Sequence, residues 1–546
     1  MGFQGKVKGR RKAPYPNSII DRRALTEALE EAGIPAKRIH LDEFYGAMHR
    51  QHYPELRKFV ENYRYQAIPT DHQDENENIC GQANMNVKPL KNAVRKNRRH
   101  KMHLPKAFLD YLATTEDFVS RTSRVKERLT SSDKSTTKLI VELYDGFVVE
   151  SVLMRYDKKA KGRASLCVSS QCGCAMGCTF CATGTMGLSG NLTSGEILEQ
   201  LVHANDILAE EHLAKSEEER SKNNLDLVRS VIFMGMGEPL DNYTNVVEAC
   251  RAMIDRTRWN LAHGRVTVST VGLISQIRRL TKELPEVSLA LSLHAPNQDA
   301  RTAIVPTATR YPIDQLIEVI DEHMMAYVNQ RRKRTTDSYG ESQVQPTTYT
   351  EEERINESKR RRVMIEYVML QGETSSIECA HQLGKLCENR HLIVNLIPYN
   401  QTDVGDELRC PSPEDMQQFR DIVASYGSFC TIRRTMGADI ASACGQLVKK
   451  QEHEEQEEKR SVDIEDVVAG QSVVVSENLD KTATGSSAKI ARTSLDDPLD
   501  EKMTASWLDS LSTDDLEYWL SVLGVAATVS ATCFLAASAV HLKRKA

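Results

Sequence analysis

Cys174-Ala-Met-Gly-Cys178-Thr-Phe-Cys181 sets three thiols at CxxxCxxC spacing just behind a short apolar run, 164–168, that reads as a β-strand. Soft thiolates are the ligands of iron–sulfur clusters. Four of them close a [4Fe–4S] cluster, whereas three leave one iron open to a small molecule, as reductive chemistry on a bound substrate requires. The competing arrangement is structural zinc, which takes four closed ligands, and Cys172 offers a fourth thiol.

Outward from this loop the chain alternates. Apolar runs at 227–234, 265–269, 287–293, 363–370 and 391–397 read as strands, and helical spacing appears at 194–208, 245–254, 312–326 and 377–386. With 164–168 this makes six βα units, and 429–433 offers a seventh. Such alternation predicts parallel strands, in a barrel or an open sheet, with the active site at their C-terminal ends. Upstream, 138–156 reads as a hairpin turning at Asp145-Gly146. Before it, Leu25, Leu29, Phe44, Met48, Phe59, Phe108 and Leu109 fall at helical spacing in small helices.

At 546 residues the chain is too long for one core, and thirteen cysteines are too few for a disulfide scaffold. No secretory signal opens the sequence, so a reducing compartment is expected, where clustered cysteines mean metal or catalysis. The net charge of −5 hides a split. Residues 451–517 carry 18 Asp/Glu against 6 Lys/Arg and read as an acidic linker, while 1–450 is net positive. Segment 78–109 holds eight Lys/Arg and no acid, which suits a polyanionic partner such as RNA. Polar 329–360 reads as a surface insertion. Residues 520–542 lack Asp, Glu, Lys and Arg and are followed by Lys543-Arg544-Lys545, the pattern of a C-terminal membrane anchor. The expected organisation is thus α/β: an N-terminal helical accessory and RNA-binding region (1–137), a hairpin with a partial (β/α)6 barrel (138–450), the linker (451–517), and a single apolar helix within 518–546.

CxxxCxxC with an aromatic residue before the last cysteine resembles the cluster loop of radical S-adenosylmethionine (SAM) enzymes. The run Ala164-Ser-Leu-Cys167-Val-Ser-Ser-Gln171-Cys172-Gly-Cys174 is similar, more narrowly, to the adenine-C2 methyltransferases of large-subunit ribosomal RNA and transfer RNA. The likeness runs from about Gly33 to Lys449, broken by the basic segment and by 329–360. It implies a radical SAM barrel holding a [4Fe–4S] cluster on Cys174, Cys178 and Cys181. It also implies SAM, two molecules per turnover, against Gly237 and Glu238 of Phe233-Met-Gly-Met-Gly-Glu-Pro239, Ser269, the Ser292-Leu293-His294 strand end and Asn400. Cys444, in Gly437-Ala-Asp-Ile-Ala-Ser-Ala-Cys444-Gly445, matches the cysteine that the family methylates, Cys167 its resolving partner, and Glu150 its proton acceptor.

What the resemblance implies for the chemistry follows from the electrophilic C2 of adenine, which no direct polar methyl transfer can reach. One SAM methylates Cys444, and a second yields the radical that activates this methyl group for addition to C2. Glu150 removes the C2 proton, and Cys167 releases 2-methyladenosine, leaving a Cys167–Cys444 disulfide. An external electron donor is required, and a monomer is expected, its catalytic body cytoplasmic and its tail in an organelle or ER membrane, or the whole inside an organelle. Two departures stand out: Cys172, and Gly372-Glu-Thr-Ser375 after a strand. The alternatives are adenine-C8 methylation by the same constellation, and a non-catalytic iron–sulfur or zinc protein that binds RNA.

Overall fold

The computed structural model describes residues 11, 15–67, 104–156, 163–222, 227–339, 363–372, 374–390, 392–402 and 408–447. All fall in one compact unit, Met1–Asp466. A short strand β1 (Asn17–Ser18) leads into four helices, α1 (Arg22–Glu31), α2 (Arg38–Arg50), α3 (Leu56–Ala67) and α4 (Lys106–Thr114), followed by β2 (Phe118–Val119), which pairs in parallel with β1. Asp21 starts α1 by accepting from the N–H groups of Arg23 and Ala24. Phe44, Phe59 and Phe108, each fully buried, meet edge to face at 5.6 and 5.5 Å in the core of these helices. Rings of this size each contribute about 1.5–3 kcal/mol by burial.

The centre of the molecule is a ten-stranded sheet. Its strands are β3 (Ser123–Thr130), β4 (Thr136–Leu143), β5 (Val148–Tyr156) and β6 (Arg163–Cys167), then, beyond the small two-stranded ladder of β7 (Gln171–Cys174) and β8 (Gly187–Asn191), β9 (Val228–Phe233), β10 (Val266–Thr270), β11 (Ser288–Ser292), β12 (Met364–Met369), β13 (Ile393–Pro398) and β14 (Phe429–Ile432). They lie in the order β14-β13-β12-β11-β10-β9-β6-β5-β4-β3. The seven from β6 to β14 in this sheet run parallel, while β3, β4 and β5 extend it in antiparallel fashion. The parallel strands are short and largely buried but not uniformly aliphatic: β10, Val-Thr-Val-Ser-Thr, is buried at every position. Thr193 opens the longest crossover helix next to the site, Ser194–Leu213, through a reciprocal capping box with Glu196.

Several contacts join the N-terminal helices to the barrel. The Arg258 guanidinium sits 4.5 Å over the Tyr45 ring and donates to the Ile20 carbonyl at 3.1 Å, and Trp259 stacks on Tyr53 at 5.6 Å. Glu199, buried in helix Ser194–Leu213, accepts from Ser18 Oγ at 2.5 Å and from the Thr122 N–H at 2.8 Å, drawing both flanks of the helical region onto the same helix.

The structure departs from the sequence expectations in several places. The seventh parallel strand is present, as β14. The antiparallel extension has three strands rather than a hairpin: β3 escaped notice because its Ser-Arg-Val-Lys-Glu-Arg-Leu-Thr run is mostly charged and exposed, as suits an edge strand. The polar insertion begins inside a helix, Ile313–Tyr339, and its residues 340–360 lie outside the described ones. Most of the basic segment, all of the acidic linker and the apolar span 520–542 also lie outside them. Among the described residues no helix is long and apolar enough to cross a membrane. Every described cysteine, Cys167 and Cys444 included, is a free thiol, so the disulfide expected from the family chemistry is not formed in this structure.

Candidate active site

The cluster loop leaves β7 and closes on the one-turn helix Ala182–Thr185, so that the three thiols of CxxxCxxC face a single cavity of about 160 Å³. Gly177, at φ +66, supplies the left-handed turn between the first two cysteines. Burial pushes the Cys174 thiol up to about 12 and raises Cys178 and Cys181 as well; Cys181 adds to the rise at Cys174 and Cys178, and Cys444 to the rise at Cys181. Three thiols on one cavity, Cys178 buried and Cys174 and Cys181 half-buried, fit a group whose own positive charge would deprotonate them, as iron does. Among the described residues no set of three His, Cys, Asp or Glu side chains surrounds a common point suited to a lone metal ion. Cys172 does not line the cavity: it is buried in the β7–β8 ladder opposite Gly190, within electrostatic reach of Arg11 and Glu196.

The rest of this inner cavity comes from the strand ends. Gly237, Glu238, Ser269, Ser292 and His294 all line it, together with Met176, Phe180 and Phe233. The Gly-Met-Gly-Glu-Pro turn is held by the run that follows β6. Ser169 Oγ accepts from the Met236 N–H at 2.9 Å, and Gln171 Oε1 from the Glu238 N–H at 2.8 Å. At Gly237, φ is +98 and a Cβ would lie 2.5 Å from Gln171 Cβ, so only glycine fits. Burial pushes the Glu238 carboxyl up to about 7, against the N–H groups of Leu240 and Val271 that donate to it at 2.9 Å. Burial, with Arg301 nearby, holds His294 down to about 3, so its imidazole is neutral and Nδ1 accepts from the Val368 N–H at 3.1 Å. Leu293 is fully buried and lines neither cavity; its carbonyl accepts from Arg301 Nε at 3.1 Å.

A second, outer cavity of about 500 Å³ lies over the antiparallel extension, lined by Val152, Met154, Arg155, Tyr156, Cys167, Asn400, Arg433, Arg434 and Cys444. Cys167 ends β6 opposite Val152, which places both on this cavity's face of the sheet. Glu150, two residues before Val152 on β5, shares that face but is only 4% exposed, and its Oε1 lies 3.5 Å from Lys138 Nζ. Burial pushes the Cys167 thiol up to about 12; Cys444 raises it further, and Arg433 opposes both. Asn400, expected against SAM, lines the outer cavity instead, and its Nδ2 donates to the Cys444 carbonyl at 3.4 Å.

Cys444 itself lines both cavities. Its segment is fixed to the cluster loop by the Ala182 N–H, which donates to the Gly445 carbonyl at 2.8 Å, right after Cys181. Sequence reasoning missed Glu366 and Arg433. Glu366 lines the inner cavity, raised by burial and accepting from Asn395 Nδ2 at 2.8 Å. Arg433 has its guanidinium charge favoured by Cys444 and Glu366 despite burial. The available signals were the place of Arg433 directly past the end of β14 and, for Glu366, an acidic residue inside the apolar run of β12.

Residues 168–321 match the model of the radical SAM superfamily. The chain is 37% identical over 317 residues to the dual-specificity RNA methyltransferase RlmN 1 of Myxococcus xanthus, covering 58% of this chain and 74% of that enzyme. It is 36% identical to the ribosomal RNA large subunit methyltransferase N of Nitrosopumilus maritimus, over 59% of this chain and 79% of the relative. The crystal structure of a radical SAM methyltransferase from Sphaerobacter thermophilus superposes with a TM-score of 0.55 at 29% identity, covering 79% of this chain and 98% of that one. Three thiols on one cavity, a glycine turn held by Ser169 and Gln171, and likeness along most of the relatives' length lead to one assignment. The chain belongs to the RlmN family of radical SAM RNA methyltransferases, enzymes that work with a [4Fe–4S] cluster and SAM.

Proposed function

We propose that this protein methylates C2 of adenine in ribosomal and transfer RNA, carrying the methyl carbon on Cys444. The observation that carries the reading is that Cys444 belongs to the walls of both cavities. A side-chain rotation, rather than a domain movement, then suffices to present one sulfur to SAM on one side and to RNA on the other.

Cys174, Cys178 and Cys181 would hold the cluster, leaving one iron open to SAM. Gly237, Glu238, Ser269, Ser292 and His294 would line the SAM site. When bound, the cluster supplies the electron that cleaves a SAM molecule to a carbon radical. The Cys444 sulfur first attacks the methyl carbon of one SAM: the new S–C bond forms, the sulfonium–methyl bond breaks, and the thiol proton passes to solvent. After loss of one hydrogen atom from that methyl group, its carbon bonds adenine C2, so protein and RNA are covalently joined. Glu150 would accept the C2 proton, and the one electron that the adduct gives up would return to the oxidised cluster. Cys167 sulfur then bonds Cys444 sulfur, the S–CH2 bond breaks, and the released carbon takes a proton to become the methyl group.

Two substitutions test this. Cys444→Ala should leave reductive SAM cleavage intact and abolish every step on RNA. Cys167→Ala should accumulate protein covalently linked to RNA, visible on a denaturing gel. Equal loss of methylation with no adduct in either variant would sink the assignment. Nucleoside mass spectrometry should find 2-methyladenosine and not the 8-methyl isomer. On sequence alone we further propose that 520–542 tethers the enzyme to a membrane: 23 residues without Asp, Glu, Lys or Arg match the ~30 Å apolar core of a bilayer at 1.5 Å per residue. A reporter fused to 516–546 that stays soluble would refute the tether.

A further inference from the structure

Strand β4 and the turn before it grip the Cys444 segment at three places. The Ser132 N–H donates to the Asp439 carboxylate at 2.8 Å. Gly437, at φ +67, comes so near Thr136 that a Cβ would lie 2.8 Å from its methyl carbon. Lys138 Nζ donates to the Ala441 carbonyl at 3.3 Å. Of the three, the last alone is made by a charged side chain of the strand, and the same ammonium lies 3.5 Å from Glu150 Oε1. The register explains the meeting. Lys138 stands opposite Val152, so it shares a face with Glu150, the residue two places before Val152 on β5.

We propose that Lys138 is a positioning residue of the reaction: one buried ammonium holds the Glu150 carboxylate on one side and the backbone of the Cys444 segment on the other. The inference rests on the roles given above to Glu150 and Cys444. Both side chains of the ion pair are nearly sealed from water, at 8% and 5% exposure, so the carboxylate's orientation is set by protein groups and not by solvent. An ammonium has three donors that rotate freely about one axis, enough to serve a carbonyl and a carboxylate together. Ala441 needs holding: its φ of 47 is left-handed, a region that a residue with a Cβ enters only under outside constraint. For stability alone a buried ion pair gains little over apolar side chains of the same volume. What this pair adds is direction, because any shift of the thiol segment is transmitted to the base. The C2 hydrogen of an adenine bonded to the Cys444 carbon is thereby kept in register with the carboxylate that must take its proton, while the C–H electron pair stays with the ring.

The test uses the full chain with its cluster, SAM and an RNA substrate, and separates the half-reactions. Peptide mass spectrometry reads Cys444 methylation, and a denaturing gel reads the rate at which the protein–RNA adduct resolves. Lys138→Met should leave Cys444 methylation within about twofold and slow adduct resolution roughly 10- to 100-fold, the scale of a misplaced general base. Glu150→Gln should do the same, and the double variant should be no slower than Glu150→Gln alone, since both remove one linkage. Lys138→Arg, which keeps the charge and the reach, should recover resolution to within about threefold. Wild-type resolution in Lys138→Met, multiplicative losses in the double variant, loss of Cys444 methylation along with resolution, or no recovery by Lys138→Arg would each overturn the proposal. Should Cys167→Ala form no adduct, the proposed reaction itself fails. If it does form one and Lys138→Met resolves normally, only the role of Lys138 fails.

Discussion

The two cavities that share Cys444 are opposites in charge. The inner one is walled by the three cluster thiols, Glu238 and Glu366, with apolar Phe180, Phe233, Val271 and Val368, and no Lys or Arg lines it among the described residues. The outer one carries Arg155, Arg433 and Arg434 against a single carboxylate, Asp133. SAM brings a sulfonium and an ammonium, and RNA brings phosphates. On the proposed reading SAM enters the inner chamber and RNA the outer one, so each chamber would carry the sign that its guest lacks, and Cys444, with Met234 and Ile397, lies in the wall between them. Complementary charge at the two mouths sorts the guests before any chemistry begins.

The comparison can be broken most severely from the inner side. Replacing Cys174, Cys178 or Cys181 by Ala should reduce bound iron from about four per chain to near zero and abolish SAM cleavage. RNA affinity, a property of the outer chamber, should change by about twofold at most. Replacing Cys172, which lies outside the cavity, should leave the iron content unchanged. If RNA binding collapses with the cluster, the chambers are not independent.

From the outer side the expected effect is smaller. Arg434, with 82% of its side chain exposed at the rim, should act on phosphate through charge alone. Arg434→Glu should weaken RNA binding about tenfold at low salt and lower the slope of log affinity against log salt by about one, with SAM cleavage untouched. An unchanged salt slope would remove Arg434 from the RNA path.

Smaller still is the pH signature of the inner chamber. Burial lifts Glu238 from 4.5 to about 7. Between those values the folded chain keeps a proton that the unfolded chain has released, so stability falls as pH rises through this window, by about 3 kcal/mol in all. Glu238→Gln abolishes that slope. The melting temperature of the SAM-free protein should therefore drop more between pH 4.5 and pH 7.5 in the wild type than in Glu238→Gln. Parallel curves would mean that Glu238 titrates normally. The smallest expected effect is none: truncation after Lys450, beyond the last residue of either cavity, should leave methylation of RNA in solution unchanged within about twofold. A truncated enzyme that folds but fails would show that the tail belongs to the catalytic machinery.

By itself the sequence determined what is local. CxxxCxxC announces its ligands because three thiols within eight residues can reach one group whatever surrounds them. The parallel strands announce themselves as short runs rich in β-branched residues between helical stretches, as in Val266–Thr270 and Ile393–Pro398. The glycine turn after β9 is legible for the same kind of reason: its φ is forced by the chain itself. Residues that act at a distance were invisible. β3 looks like a charged loop until β4 pairs with it, Asn400 turned out to face the outer chamber, and Lys138 gave no hint of meeting Ala441, which lies 303 positions along the chain. Only the tertiary structure could decide that Cys444 stands between two chambers of opposite charge. Position along a chain fixes spacing within one turn or strand, whereas a site is made where the closing of a sheet brings remote strand ends together, and that is settled by burial and register over the whole fold.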